Sequence, residues 1–257
     1  MIIKSMDSKK EELEELSSLL QEELTPSQRF LIERELKIMR SGVRGEKDSA
    51  YYLNFYFGNS ENWAVIHDLR IEHGDQVAQI DHLMINRLFD IYVLESKNFS
   101  YEIKITPEGE FQVYDGKQYF GIPSPIEQNK RHVHLLKHFL RDHKILPKRM
   151  GISIRPKFKN FILVSPRSVI TRPSKKEFNT SMVIKADSLR AKIDQEVEKI
   201  NPVDSLSSIS KFSSFSTIEE VAKKLASFHK PIKIDFRAKF GLCERASGKQ
   251  ERSNLYS

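Results

Sequence analysis

The chain has 257 residues and a net charge of +7, with 39% hydrophobic, 10% aromatic and 30% charged residues. That suits one large domain or a compact core with appendages, and excludes wholesale disorder. The single cysteine, Cys243, excludes an intrachain disulfide framework or thiolate zinc cluster and fits a reducing compartment. No stretch approaches the roughly 20 apolar residues of a membrane span, and the N-terminus lacks a signal-peptide core. The expectation is a soluble, cytoplasmic protein without a membrane partner.

Leu13, Leu16, Leu20 and Leu24 form one stripe of an amphipathic helix over residues 8–24. Thr25-Pro26-Ser27-Gln28 then starts a second helix, with Thr25 and Gln28 as a capping box; it is expected to end near Arg40 and Gly42. Such a hairpin suits packing first, and also a lid or an arm for a second copy or a protein partner. A third helix is expected from about Gly45-Glu46 to Phe57. Strands follow at Trp63–Leu69, Val77–Ile85 and Ile91–Lys97, the last two joined by a short turn over Asn86–Asp90.

Tyr101–Ile105 and Glu110–Tyr114 read as an inserted hairpin. Pro123-Ser124-Pro125 opens a helix to about His143, and Phe158–Val164 reads as a buried strand. A helix is expected from Asp187, and residues 201–216, with seven serines, read as a linker. Ser216-Thr217-Ile218-Glu219 caps a helix ending near His229, Ile232–Phe236 suggests a strand, and the polar tail from Ala246 should fray. The order of elements is that of a mixed α/β core.

The segment Gln79–Lys97 carries the most chemistry. A turn centred on Leu88 sets Asp81 opposite Glu95 and Gln79 opposite Lys97. Alternation then puts Asp81, Glu95 and Lys97 on the face that also carries Leu83, Ile85, Ile91 and Val93. Two carboxylates at the end of an apolar surface suit a hard divalent cation such as Mg²⁺, with the main-chain carbonyl of Ser96 as a third ligand. Lys97 would orient a water or stabilise a developing negative charge. A cross-strand charge cluster on a wet sheet face explains the same three residues equally well.

Net charge is −2 over residues 1–42, −4 over 43–140 and +13 over 141–257. An acidic middle beside a basic C-terminal part suits a carboxylate site next to a polyanion-binding surface, and equally a solvated Lys-rich surface. Candidates for phosphate contact are Lys148, Arg149, Arg155, Lys157 and Lys159, then Arg167, Arg172, Lys175 and Lys176. His132, His134, His138 and His143 crowd one helix; without an acidic partner in the right place, a solvated or phosphate-facing helix is favoured over zinc. No Gly-rich phosphate loop supports nucleotide hydrolysis.

Gly45-Glu46, Gln79-Ile80-Asp81-His82, Glu95-Ser96-Lys97-Asn98 and Pro125-Ile126-Glu127-Gln128, in that order over residues 41–145, resemble the nuclease-related domain (NERD) family of the PD-(D/E)XK superfamily. Ile80 stands where the superfamily name has proline, and Ser96 where an apolar residue is commoner; neither removes a ligand. The resemblance implies a restriction-endonuclease-like core. It implies that Asp81 and Glu95 bind Mg²⁺ or Mn²⁺, that Glu46 completes the metal site, that Lys97 serves the attacking water and that Gln128 positions it. Gln79 and His82 match the motif in less defined, substrate-side roles, and His82 reads equally as a satisfied core histidine.

The expected organisation is an N-terminal helical hairpin over residues 1–40, a nuclease-related core over 41–170 and a basic, mainly helical extension over 171–257. The expected function is metal-dependent phosphodiester hydrolysis of nucleic acid, DNA first, with Lys157, Lys159, Lys175 and Lys176 holding the strand. The alternative is a catalytically silent nucleic-acid-binding or protein-interaction module on the same fold.

Overall fold

The computed structural model describes residues 1–99, 102–198 and 213–242. In chain order the elements are β1 (Ile2–Lys4), α1 (Lys10–Leu19), α2 (Pro26–Phe57), β2 (Trp63–His73), β3 (Gln76–Asn86) and β4 (Asp90–Lys97). β5 (Glu102–Ile105), β6 (Phe111–Tyr114), β7 (Tyr119–Ile122), α3 (Pro125–Asp142), β8 (Lys148–Arg149), β9 (Ile152–Ser153) and β10 (Lys157–Val164) follow. The last are β11 (Val169–Thr171), β12 (Val183–Lys185), α4 (Leu189–Glu198), α5 (Phe215–Ala226) and α6 (Phe236–Lys239). Tyr101, most of the expected serine linker, Cys243 and the expected frayed tail lie outside the described residues.

Two compact units emerge: Met1–Ser8 with Arg40–Pro231, and Lys9–Met39 with the described residues from Ile232 on. In the first, six strands form a mixed sheet in the order β1-β2-β3-β4-β10-β12. β2, β3 and β4 are antiparallel neighbours, whereas β4, β10 and β12 run parallel. Leu135, Leu136 and Phe139 of α3, with Ile218, Val221 and Leu225 of α5, bury one face against Ile66, Leu69, Ile80, Leu83 and Val93. Leu53 and Phe57 of α2, with Leu189 and Ile193 of α4, bury the other against Val65, Met84, Tyr92 and Leu94. Each such side chain contributes about 1.5–3 kcal/mol by leaving water. The result is the mixed sheet flanked by helices of a restriction-endonuclease-like core.

In the second unit, Leu16, Leu19, Ile32, Leu36 and Phe236 are buried together. The expected capping box is present: the Gln28 amide donates to Thr25 Oγ1 at 3.3 Å and the Thr25 amide to Gln28 Oε1 at 3.1 Å. No strand forms over Ile232–Phe236; Asp235 instead caps α6 by accepting from the Ala238 amide at 2.9 Å.

Further differences from the sequence reading have physical causes. α2 runs unbroken through Gly42 and Gly45, because each glycine costs only about 1 kcal/mol and the helix goes on to bury Ala50, Leu53 and Phe57. The inserted hairpin is part of a second sheet, β11-β5-β6-β7, completed by two short strands: β7, which turns back on β6, and β11, whose partner β5 is distant in sequence. β12, only three residues long, is fixed by its parallel pairing with β10. The cap of α5 is Ser214 rather than Ser216, accepting from the Thr217 amide at 3.2 Å.

Candidate active site

The β3–β4 turn is held by Asn86 Oδ1, which accepts from the amides of Leu88 at 3.0 Å and Asp90 at 2.9 Å. The ladder pairs Ile85 with Ile91, Met84 with Tyr92, Leu83 with Val93 and His82 with Leu94, the register of a turn centred on Leu88. It stops there, so the expected Asp81–Glu95 and Gln79–Lys97 pairs do not form as ladder pairs. Asp81 takes over with its side chain: Oδ2 accepts from the Ser96 amide at 2.7 Å.

The strict alternation used to place Asp81 also shifts by one residue at this point. Ala78 and Ile80 share a cluster with Leu83 and Ile85, and on β2 Ile66 shares it with Leu69. Between Ile66 and Leu69, Asp68 has φ 52°, a left-handed conformation that aspartate tolerates better than most residues. Gln79 pairs across to Arg70 on β2, and its Nε2 donates to Asp68 Oδ1. Its side chain is thus committed to this irregularity.

On β4, Glu95 points to the α3 side. Lys97 Nζ donates to Glu95 Oε1 at 2.7 Å and to Gln128 Oε1 at 3.2 Å, so strand acid, strand lysine and helix glutamine form one constellation. Gln128 is one turn into α3, whose start is fixed by Pro125 and by Ser124 Oγ accepting from the Glu127 amide at 3.4 Å. Glu46 arrives from α2 beside a close approach: a Cβ on Gly45 would stand 2.6 Å from Asn98 Cβ. Asn98 Nδ2 donates to the Ser41 carbonyl at 3.1 Å, tying the end of β4 to this helix.

Charge frustrates this corner. Burial first, then the negative charges of Glu95 and Glu46, hold the Asp81 carboxyl well above the usual carboxylate range, against the Ser96 amide and Lys97. Burial likewise pushes Glu95 up, opposed by Lys97 and by the hydrogen bonds of Lys97 and Gln128. Glu95 Oε2 is buried with no hydrogen bond. Acidic oxygens that repel one another, one of them lacking a donor, fit a hard divalent cation. Among the described residues no three His, Cys, Asp or Glu side chains close together round one point.

His132, one turn beyond Gln128, belongs to this site although the sequence reading set it on a solvated or phosphate-facing helix. It is 8% exposed, and its Nδ1 lies 3.6 Å from Glu95 Oε2, again with no hydrogen bond. Burial, with Lys97 and Arg131 nearby, brings its pKa down to about 4, so at neutral pH the imidazole is uncharged. The i, i+4 spacing of Gln128 and His132 on one helix face is the signal that could have found it. Both line a cleft of about 330 Å³ together with Gln76, Val77, Arg131, His134 and Leu135. His82 is fully buried and bonded: its Nε2 lies 3.1 Å from Ser96 Oγ, so it is both a satisfied core histidine and a neighbour of the site.

Two of the basic candidates, Lys157 and Lys159, are placed away from the acids or paired elsewhere. Lys157 pairs with Asp90 and Ile162 with Glu95, which puts Lys157 about 17 Å along β10 from the level of Glu95. Lys159 Nζ is bound to Glu196 Oε2 at 2.7 Å and sits 5.2 Å from the Tyr92 ring centroid, a structural pairing. Lys175 and Lys176 are exposed between β11 and β12. Arg172 is tied to the carbonyls of Thr180 at 3.0 Å and Val183 at 2.7 Å and shapes that segment.

The family model of the nuclease-related domain matches residues 41–169, which take in Glu46, Asp81, Glu95, Lys97, Gln128 and His132. No curated protein and no solved structure matches the chain. Among the described residues, no helix is long and apolar enough to cross a membrane.

Proposed function

We propose that this chain, which belongs to the nuclease-related domain (NERD) family of the PD-(D/E)XK superfamily, hydrolyses phosphodiester bonds of nucleic acid, DNA first, with a divalent cation. The observation that carries this reading is Lys97, whose ammonium is shared between the buried acid Glu95 and Gln128. A lysine held in that way can orient the water that attacks phosphorus and offset the negative charge that grows on the phosphate. Gln128, with its amide oxygen on Lys97 and one amide N–H toward Glu95, keeps its other N–H for the same water or a phosphate oxygen.

Glu46, Asp81, Glu95 and the main-chain carbonyl of Ser96 are the groups we assign to Mg²⁺, with Mn²⁺ as a substitute. When bound, the cation supplies neutralisation of the carboxylates and a more acidic water. The pKa values of Asp81 and Glu95, both raised by burial, support this assignment, because a cation removes the cost of holding both carboxylates ionised. The exposed Lys175 and Lys176 would add affinity for the phosphate backbone without reading sequence.

The test is cleavage of single- and double-stranded DNA and RNA by the purified chain with Mg²⁺, Mn²⁺ or chelator, beside Lys97→Ala. Metal-dependent cleavage of DNA that chelator and Lys97→Ala both remove is the expected result. Binding without cleavage in any metal would instead favour a silent binding module.

A further inference from the structure

Asn54, His67, His82 and Ser96 form one hydrogen-bonded chain across the sheet, from α2 through β2 and β3 to β4. Asn54 Oδ1 is 2.9 Å from His67 Nε2, His67 Nδ1 is 2.8 Å from His82 Nδ1, and His82 Nε2 is 3.1 Å from Ser96 Oγ. Ser96 is also held on its other side, its amide donating to Asp81 Oδ2 at 2.7 Å. His67 and His82 are 1% and 0% exposed.

The direction of every bond in this chain follows from valence. An amide oxygen only accepts, so the proton of neutral His67 is on Nε2 and its Nδ1 is an acceptor. His82 must then donate from Nδ1, which leaves His82 Nε2 as an acceptor and makes the Ser96 hydroxyl the donor. A second proton on His67 would set two N–H groups against each other 2.8 Å apart. The Ser96 hydroxyl is therefore turned into the sheet, and Ser96 meets the acid site through its main chain.

We propose that His67 and His82 are positioning residues that fix Ser96 and, through its amide, the Asp81 carboxylate. The inference rests on the nuclease reading of the acid site. Filling space does not explain the pair, since their strand neighbours Val65, Ile66, Leu83 and Met84 are apolar and fully buried. Two linked imidazoles give instead a rigid polar span whose ends are the strand carrying Glu95 and the helix carrying Glu46. Asn54 lies about 12 Å along that helix from Glu46, so the span also fixes the helix relative to the two strand acids.

Ser96→Ala removes the hydroxyl and keeps the amide on Asp81; Ser96→Thr keeps both. In the full-length protein, Mn²⁺ affinity read by electron paramagnetic resonance should weaken about 10–100-fold in Ser96→Ala and recover in Ser96→Thr. DNA cleavage by Ser96→Ala should lose kcat with little change in KM. Long-range ¹H–¹⁵N correlation spectra of the unmodified protein should show the Nε2–H tautomer for His67 and the Nδ1–H tautomer for His82. Unchanged Mn²⁺ affinity in Ser96→Ala overturns the proposal and leaves the nuclease reading intact, as does an Nε2–H tautomer at His82. An unmodified protein that neither binds Mn²⁺ nor cleaves DNA overturns the nuclease reading and this proposal with it.

Discussion

His132 Nδ1 faces Glu95 Oε2 at 3.6 Å across a buried gap, and neither atom makes a hydrogen bond. A gap bounded by a carboxylate oxygen and a neutral imidazole nitrogen is a place for a third group to be shared. His132→Leu keeps much of the volume and removes the nitrogen, so divalent-cation affinity measured by titration calorimetry should fall about tenfold. An unchanged affinity would reduce His132 to packing.

Gly42 and Gly45 lie three residues apart in α2 and should respond oppositely to alanine. A Cβ at Gly42 meets nothing within 4 Å, so Gly42→Ala should stabilise by about 0.5–1 kcal/mol through helix propensity. At Gly45 the same Cβ would stand 2.6 Å from Asn98 Cβ and push the helix off the end of β4, costing about 1–3 kcal/mol net. Urea unfolding separates the two. Equal effects would mean that the helix approaches β4 less closely than described.

Much of this architecture can be read from sequence wherever a local rule decides. Thr25 and Gln28 form their capping box, Ser124 and Pro125 open α3, and the turn at Leu88 sets the β3–β4 register as far as His82. Reading fails where a distant partner decides. The alternation that placed Asp81 assumed an unbroken strand, but Asp68 on β2 breaks the phase of both strands. Gly42 reads as a helix stop and Gly45-Glu46 as the start of a new helix, yet α2 runs through both, and Gly45 is needed for the approach to Asn98, which is remote in sequence. Lys159 read as a phosphate contact because Glu196 and Tyr92, its partners, come together with it only in the fold. His132 is obscured by the His134–His138 spacing, a pair whose rings lie 4.6 Å apart and tilted by 52°.

The buried imidazoles predict an acid limit to stability. His67 is pushed down to about 4, chiefly by burial, and burial holds His82 below its usual range as well. Because the unfolded chain takes up protons first, from about pH 6.5, their contribution is complete above that pH and is lost as pH falls toward 4. For His67 alone the loss is on the order of 3 kcal/mol. Chemical denaturation from pH 7 to pH 4 should show the decline, and His67→Gln should make it shallower. A flat profile would mean that the relay accepts protons without strain.

The most direct measurement is the Asp81→Asn variant, assayed for DNA cleavage and for metal-free thermal stability at pH 8. Asparagine keeps an oxygen for the Ser96 amide but cannot carry charge. The Asp81 pKa is raised in the fold, so its ionised form costs stability at pH 8, and asparagine removes that cost. Cleavage should fall on the order of a hundredfold or more, together with a rise in melting temperature. Wild-type cleavage by Asp81→Asn would contradict the assignment of this site.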